Sequence, residues 1–315
     1  MHAPATPKTP AGPMSRPLLV GIQLPEVERE VRWSEQVAIA RLAEAVGFDS
    51  VWVGDHLLYD FPDGRTGPWE AWSQLAALSV ATERVMLGPL VAVPGFHTPV
   101  MFAKKAVTVD EISSGRLILG VGAGWNRTEF EAFGFPYDRR VDRFEEAFHV
   151  VRRLLAGERV DAAGEFHTVV GAEILPAGPR QGGPPMMIGS TGERMLTITL
   201  PHVDIWNAWW SHFANSPAGL RPLLDKVDRV AESVGRDPGQ IERTVAILVQ
   251  IPGGAGRKMG DSHAKGDPIT GTAAQIADGI AAFAGVGVTH VQLVVDPITE
   301  ASVEKLADVL EILDA

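Results

Sequence analysis

The chain of 315 residues contains no cysteine. A disulfide framework, a thiolate nucleophile and a cysteine-ligated metal centre are therefore excluded. The histidines are scattered, carboxylates do not cluster with them at ligand spacing, and no HExxH motif occurs. We therefore predict that the protein binds no metal ion.

Long apolar runs are also missing. No segment approaches the roughly 18 consecutive apolar residues that a membrane-spanning helix requires. The first residues, MHAPATPKTPAGPMS, hold several prolines and no apolar stretch, so they do not have the pattern of a secretory signal. We interpret residues 1–16 as a flexible leader and residues 17–315 as one domain, and we predict a cytoplasmic protein.

Positive charge is scarce relative to negative charge. The chain has 28 Lys and Arg residues against 39 Asp and Glu residues, which gives a formal net charge of −11. A surface of this sign repels phosphate backbones and anionic lipids. We therefore predict that neither nucleic acid nor a membrane surface is a partner.

Three common site signatures are absent as well. No GxGxxG follows the first predicted strand, and the chain contains neither GxxxxGK[ST] nor GxSxG. The Rossmann, P-loop and serine-hydrolase interpretations therefore lack the residues that would define them.

From Leu18 onward, short apolar runs alternate with amphipathic helical stretches. Eight such units predict an α/β fold of the (β/α)8 TIM-barrel type, with a doubly wound open sheet as the alternative. The predicted strands are Leu18–Gln23, Ser50–Gly54, Val85–Val91, Leu117–Val121, Met186–Gly189, Ile205–Ala208, Arg243–Ile251 and His290–Val295.

Two segments interrupt this alternation. After the fourth predicted helix, about residues 158–182 hold several glycines and prolines around two short apolar runs, and we interpret them as a hairpin-like insertion. Residues 252–271 are rich in Gly, Lys and Asp and show no pattern. A long unpatterned loop in a compact domain is either mobile or a functional lid, and we predict that this one closes over the site as a lid.

In a barrel of this kind, catalytic residues lie on the loops that follow the strands. Asp55 and His56 come directly after the second predicted strand. An imidazole there can donate to or accept from a ring carbonyl or hydroxyl, while Asp55 either sets its tautomer or caps a loop. A carboxylate that caps a turn beside a solvated histidine is an equally good interpretation of these two residues.

Two glycine-containing loops are candidates for holding phosphate. One follows the fourth strand at residues 122–124, and the other, GSTG at residues 189–192, opens a helix. Glycine lets backbone N–H groups approach an anion closely, and a helix N-terminus adds partial positive charge. Glycine is also ordinary at such turns, so these loops are weak evidence by themselves.

The end of the first strand and the segment after the sixth strand offer candidates for a substrate pocket. Tryptophans there suit either the wall of a pocket for a flat ring or simple core packing. The candidates are Gln23, Trp206, Trp209 and Trp210.

The segment RLILGVGAGWNRTEFEAFG, together with GFDSVWVGDHL, resembles the bacterial luciferase-like flavin and deazaflavin oxidoreductases. The resemblance covers most of residues 18–210 and implies a (β/α)8 barrel with an insertion. It also implies a cis peptide bond between Leu90 and Val91, behind the cofactor ring. The implied cofactor-binding residues are Asp55, His56, Leu90, Val91, Ala123, Gly124, Trp125, Asn126, Gly189, Ser190, Thr191 and Gly192.

Members of this family use one of two cofactors. Those that use FMN are mostly monooxygenases supplied with reduced flavin by a partner reductase, whereas others use coenzyme F420, a deazaflavin that exchanges hydride at C5. The Asp-His pair resembles the F420 branch, which implies catalytic roles for Asp55 and His56.

The sequence departs from the dehydrogenases of that branch at two positions. Asp60 stands where they carry a tryptophan, four residues after the histidine, and Trp125 stands where they carry a catalytic glutamate. Glu129 follows one helical turn later, and we expect it to cap or pair within its own helix. These departures argue against sugar phosphates and simple alcohols as substrates.

We therefore predict an F420-dependent oxidoreductase that transfers hydride to or from a small organic molecule. The alternatives are an FMN-dependent monooxygenase and a non-catalytic flavin-binding barrel. The expected partners are a small-molecule substrate, a reductase that supplies reduced cofactor, and a second copy of the chain in a homodimer.

Overall fold

A computed structural model describes residues 16–255 and 266–315 of the chain. The strands are β1 (Leu19–Gln23), β2 (Ser50–Val53), β3 (Tyr59–Phe61), β4 (Gly64–Thr66), β5 (Met86–Pro89), β6 (Leu119–Val121), β7 (Val160–Ala163), β8 (Thr168–Ala172), β9 (Met186–Gly189), β10 (Ile205–Trp209), β11 (Glu242–Gln250) and β12 (His290–Asp296). The helices are α1 (Trp33–Val46), α2 (Ala71–Ala81), α3 (Pro99–Ile112), α4 (Arg127–Ala132), α5 (Arg140–Leu155), α6 (Glu193–Thr199), α7 (Pro217–Ser233), α8 (Ala273–Ala281) and α9 (Glu300–Asp314).

Eight of these strands form one parallel sheet that closes into a barrel. Their order is β5-β2-β1-β12-β11-β10-β9-β6. Bridges between Leu87 and Leu117 and between Ala92 and Val121 join the two ends of the sheet, β5 and β6. The predicted (β/α)8 barrel is therefore confirmed, and the open doubly wound sheet is excluded.

The strands are buried on both faces, which is why their sequences are nearly continuous apolar runs. Every residue of β12, HVQLVVD, is buried, and so is every residue of β2. Capping residues in the sequence set the ends of two helices. Gly47 ends α1 in the left-handed conformation at φ 104°, and Thr272 begins α8 with a capping box to Gln275.

The insertion after the long helix α5 contains an antiparallel hairpin, β7–β8, within the predicted residues 158–182. One element was not predicted, and another was expected only as the helix that carries Glu129. A second small hairpin, β3–β4, follows β2, and the short helix α4 follows β6. Both stand at the carboxyl end of the barrel, where they change the surroundings of the site.

The predicted lid, residues 252–271, lies partly outside the described residues. Its later described part is attached to the barrel, because Ile269 donates to Leu248 O at 2.9 Å and accepts from Gln250 N at 2.9 Å. Of the predicted leader, residues 1–15 lie outside the described part, whereas Arg16 pairs with Asp314 on α9 at 2.7 Å. Among the described residues, no helix has both the length and the apolar content to cross a bilayer.

Candidate active site

A cavity of about 540 Å³ opens at the carboxyl ends of the barrel strands. This volume is typical of sites for small molecules and cofactors. The residues that line it are Gln23, Glu26, Val27, His56, Tyr59, Leu90, Val91, Val93, Gly122, Ala123, Gly124, Trp125, Arg140, Val141, Gly189, Ser190, Thr191, Gly192, Met195, Asn207, Trp209, Ser211 and His212.

Leu90 and Val91, directly after β5, form part of the cavity wall, and the peptide bond between them is cis, as the resemblance implies. Two glycines make room for Val91. A Cβ atom on Gly122 or on Gly189 would lie 2.8 Å from a γ-carbon of Val91, too close for any other residue. These glycines therefore leave the space that the Val91 side chain occupies in the wall of the cavity.

The loop at residues 190–192 lies beside one cationic side chain, and a second cationic side chain lines the same cavity. Lys226 donates to Thr191 O at 2.8 Å, and Arg140 lines the cavity and donates to Gly124 O at 3.0 Å. The guanidinium of Arg140 also stacks on the ring of Tyr137, and this contact fixes the position of the Arg140 side chain. A cation beside a glycine-containing loop that opens a helix suits the phosphate of a cofactor.

His56 is paired with Glu129 on the cavity wall. Its Nδ1 lies 3.0 Å from Oε1 and 3.2 Å from Oε2 of Glu129, and Leu57 N donates to the same carboxylate at 2.9 Å. The Glu129 side chain is fully buried, whereas that of His56 is 16% exposed. Burial disfavours a charged imidazole, but the hydrogen bond to Glu129 and the negative charges of Glu26, Glu129 and Asp55 raise the pKa of His56.

The carboxylate that orients His56 is thus Glu129 and not Asp55. Asp55 is buried and accepts a hydrogen bond from Val93 N at 2.8 Å, so it holds the loop after β5. Burial raises the pKa of Asp55 to about 7. Of the two roles expected for Asp55, the structure shows the loop cap, and Glu129 takes the place of Asp55 beside the imidazole. The expectation that Glu129 pairs within its own helix is wrong, because α4 turns the Glu129 side chain inward toward the loop after β2.

Only one of the three candidate tryptophans lines the cavity. Alternate residues of a strand face opposite sides, and Trp209 shares its side of β10 with Asn207, which faces the barrel interior. Trp206 is fully buried on the other side and donates to Ser190 O at 2.8 Å. Trp210 begins the next turn and is 4% exposed in the core. The expected pocket roles of Trp206 and Trp210 are therefore wrong.

Asn126 is also placed differently from the expectation. Its side-chain nitrogen donates to Leu58 O at 2.7 Å, so it joins the loop after β6 to the loop after β2 and does not line the cavity. The neighbouring residues Ala123, Gly124 and Trp125 do line it.

Glu26 and Tyr59 belong to the site but were not among the predicted residues. Tyr59, at the start of β3, donates from its hydroxyl to Glu26 Oε1 at 2.7 Å, and Gln23 donates from Nε2 to Glu26 Oε2 at 2.8 Å. The Tyr59 ring lies 4.8 Å from the ring of His56, which lies 5.6 Å from Trp125. Tyr59 follows His56 by three residues, and this closeness in the sequence is the signal that could have placed Tyr59 in the site.

In the described part of the chain, no three His, Asp or Glu side chains come together as a metal site. The cavity instead contains side chains that exchange protons and hydrogen bonds, an apolar wall, and a glycine-containing loop with Lys226 beside it.

Comparison with known proteins places the chain in a family. The luciferase-like monooxygenase model matches residues 18–252, and the chain belongs to that family. A 5,10-methylenetetrahydromethanopterin reductase from Archaeoglobus fulgidus is 32% identical over 235 residues, which cover 70% of this chain and 66% of the relative. An F420-dependent glucose-6-phosphate dehydrogenase from Amycolatopsis mediterranei is 35% identical over 225 residues, covering 67% and 63%. The matches thus span just under two thirds of these relatives.

Solved structures share the fold. An F420-dependent secondary alcohol dehydrogenase, in complex with an F420-acetone adduct, superposes with a TM-score of 0.79 at 21% identity, over 94% of this chain and 99% of that one. A long-chain alkane monooxygenase superposes with a TM-score of 0.74 at 15% identity, over 94% and 91%. The same barrel therefore serves both of the chemistries that the sequence left open.

Proposed function

We propose that this protein binds coenzyme F420 and transfers hydride between it and a small organic substrate. The observation that carries the proposal is the buried His56–Glu129 pair, which stands on the wall of the same cavity as the Leu90–Val91 surface. The curated relatives support it, since one is named as F420-dependent and another as a methylenetetrahydromethanopterin reductase.

The residues present fit a flat cofactor with a phosphate group. Leu90 and Val91 would support one face of the ring, with Gly122 and Gly189 leaving the space that any Cβ atom would fill. Residues 190–192 would hold the phosphate, with Lys226 at Thr191. When bound, F420 supplies a hydride donor and acceptor at C5 without activating oxygen, and the protein supplies orientation and exclusion of water.

In this proposal His56 is the general acid and base toward the substrate. Because Nδ1 is engaged by Glu129, the other ring nitrogen, Nε2, is the atom left to give a proton to the substrate or take one from it. The raised pKa keeps the imidazolium form available at neutral pH. Glu129 positions the ring and balances its charge.

The direct test is a titration of the cofactor-free protein with F420 and, separately, with FMN, followed by quenching of cofactor fluorescence. We expect F420 to bind in the micromolar range and FMN to bind much more weakly. The variant Gly189→Val should abolish F420 binding, because its side chain would occupy the space of Val91, whereas Gly285→Ala, with no neighbour near the added Cβ, serves as control.

The reverse preference, with oxygen consumed when reduced FMN is added, would replace this proposal by an FMN-dependent monooxygenase. Tight binding of F420 without turnover of any enone, imine or alcohol would point to a non-catalytic flavin-binding barrel.

We further propose that the protein forms a homodimer and receives reduced F420 from a separate reductase in the cytoplasm. Support for the dimer comes from exposed apolar side chains on the neighbouring helices α2 and α3: Val80 is 75% exposed and Met101 is 51% exposed. Light scattering on a sizing column tests it, and Met101→Lys should shift the protein toward the monomer.

A further inference from the structure

Two arginines and two histidines lie near the amino ends of the barrel strands, at the other end of the barrel from the cavity. His149 and Arg152 are on the last turns of α5, His202 lies between α6 and β10, and Arg236 lies between α7 and β11. Arg140, at the start of α5, lines the cavity, and Arg152 follows twelve residues later, about 18 Å along the helix. We call these four residues the basic cluster. They are separate from the candidate active site.

The two imidazoles of the basic cluster are packed against each other. The ring centroids of His149 and His202 are 6.0 Å apart, with an interplanar angle of 80°. The ring of Phe148, which is 1% exposed, lies 5.9 Å from His149 and 6.2 Å from His202. Arg152 follows His149 by three positions on the helix, so their side chains are neighbours on one face of α5. Packing in the core therefore fixes the end of α5 beside the turn that carries His202.

The two guanidinium groups of the basic cluster have no acceptor. The Nε atoms of Arg152 and Arg236 are buried and have no hydrogen-bond partner among the described residues. No ion pair in that part of the chain includes either side chain. The next residue on α5, Arg153, pairs with Glu158 at 2.7 Å. A buried N–H group without an acceptor costs free energy, and a bound ion is one of the usual reasons that such a group is present.

The members of the basic cluster repel one another. Burial lowers the pKa of His202, and the charges of the other three members lower it further. Burial and the charge of Arg152 also lower the pKa of His149, against the opposite effect of Glu145. Glu145 itself pairs with an arginine of α6 at 3.1 Å. Although the chain has a net charge of −11, positive charge is therefore concentrated at this place, and an anion bound among the four side chains would balance it.

We propose that the basic cluster is a second ligand site, which binds a phosphate or sulfate group between α5 and the turns that precede β10 and β11. Guanidinium groups stay charged and match the oxygens of such an anion with several N–H donors, and protonated imidazoles add further donors. A water molecule satisfies one N–H group but does not balance the charge. The inference is independent of the proposed function, because no member of the basic cluster lines the cavity.

The test follows the imidazole signals of His149 and His202 by proton NMR while sodium sulfate replaces sodium chloride at constant ionic strength. The variants His149→Gln and His202→Gln assign the two signals. We expect both signals to shift saturably at millimolar sulfate, whereas the signal of His167, in the turn of the β7–β8 hairpin, should not shift. Because a bound anion raises the pKa of both imidazoles, sulfate should bind more tightly at about pH 5.5 than at about pH 7.5.

The same titration with inorganic phosphate and with glycerol 3-phosphate distinguishes the two sources of such a group. Equal affinity for the two would support a site for a phosphate group carried by a larger molecule. Binding of inorganic phosphate and sulfate with little binding of the ester would support a site for the free ion.

The variants Arg152→Gln and Arg236→Gln should each weaken sulfate binding about ten-fold, as expected when a charged hydrogen-bond donor to the anion is lost. Arg153→Gln removes the same charge from the next position of α5, where the side chain pairs with Glu158, and should leave the affinity unchanged. Signals of His149 and His202 that do not respond to sulfate in the wild-type protein would overturn the proposal. Equal weakening by all three variants would overturn it too, since it would show attraction to the overall charge and not a site.

Discussion

Two histidines in the described part of the chain, the buried His290 and the partly buried His56, are in opposite states. His290, on β12, lies 2.7 Å from the hydroxyl of Ser50, which also accepts a hydrogen bond from Trp52 Nε1 at 2.7 Å. Burial lowers the pKa of His290 to about 3. His56, after β2, is paired with Glu129 and has a raised pKa. The first histidine belongs to the closed packing near the start of the strands, and the second belongs to the open cavity at their ends.

Burial acts in the same direction on both rings, so the partner decides the outcome. Since Ser50 accepts from Trp52, its own hydrogen is available to donate to the unprotonated nitrogen of His290. Protonation of His290 would make Ser50 accept from both neighbours and would leave the Ser50 hydrogen without this acceptor in the core. The carboxylate of Glu129 accepts only, and therefore stabilises the charged form of His56. The pKa of a partly or fully buried histidine in this fold is therefore raised or lowered according to a single neighbouring group.

The largest expected effect comes from breaking the charged pair. His56→Ala should lower the hydride-transfer rate by about 10²- to 10⁴-fold, the usual contribution of a general acid. Glu129→Gln keeps the shape but removes the charge, so the pKa of His56 should fall. If protonated His56 is required, activity is lost as pH rises through this pKa, and the loss should occur at lower pH in the variant.

The measurement for this pair is kcat/KM against pH with reduced F420. Glu131→Gln on the same helix, where the side chain is 60% exposed, is the matched control and should leave the profile unmoved. A profile for Glu129→Gln that coincides with that of the wild-type protein would mean that Glu129 does not govern the proton on His56.

The barrel could be predicted from the sequence because each strand is a local pattern. Apolar runs such as SVWV in β2 need no knowledge of their partners. The His56–Glu129 pair could not be predicted in this way, since the two residues are 73 positions apart and meet only when α4 packs against the loop after β2. The position of Trp206 outside the cavity, by contrast, could have been predicted. Alternate residues of a strand face opposite sides, so Trp206 cannot face the barrel interior together with Asn207 and Trp209.

A stability measurement tests the other histidine. His290→Ala would remove a packed ring and leave the hydroxyl of Ser50 without its acceptor, which we expect to lower the free energy of unfolding by about 3 kcal/mol. His56→Ala, at the cavity wall, should cost less. Urea unfolding of both variants measures the difference, and F420 affinity should stay near the wild-type value for His290→Ala. If a stable His290→Ala variant lost F420 binding, His290 would contribute to the cofactor site and would not be a packing residue alone.

The smallest expected effect concerns Asp55. This carboxyl is buried, and no cationic partner is close enough to keep its pKa low. Its pKa is raised from 3.8 to about 7, so the folded state favours the protonated carboxyl. The stability that it contributes is complete below pH 3.8 and is lost as pH rises through about 7. Asn at this position cannot ionise but can still accept from Val93 N. Between pH 5 and pH 8 the wild-type protein should therefore lose about 2 kcal/mol more stability than Asp55→Asn. Urea unfolding of both proteins at the two pH values measures this difference, and equal losses would show that Asp55 is ionised throughout, with local polarity rather than burial setting its state.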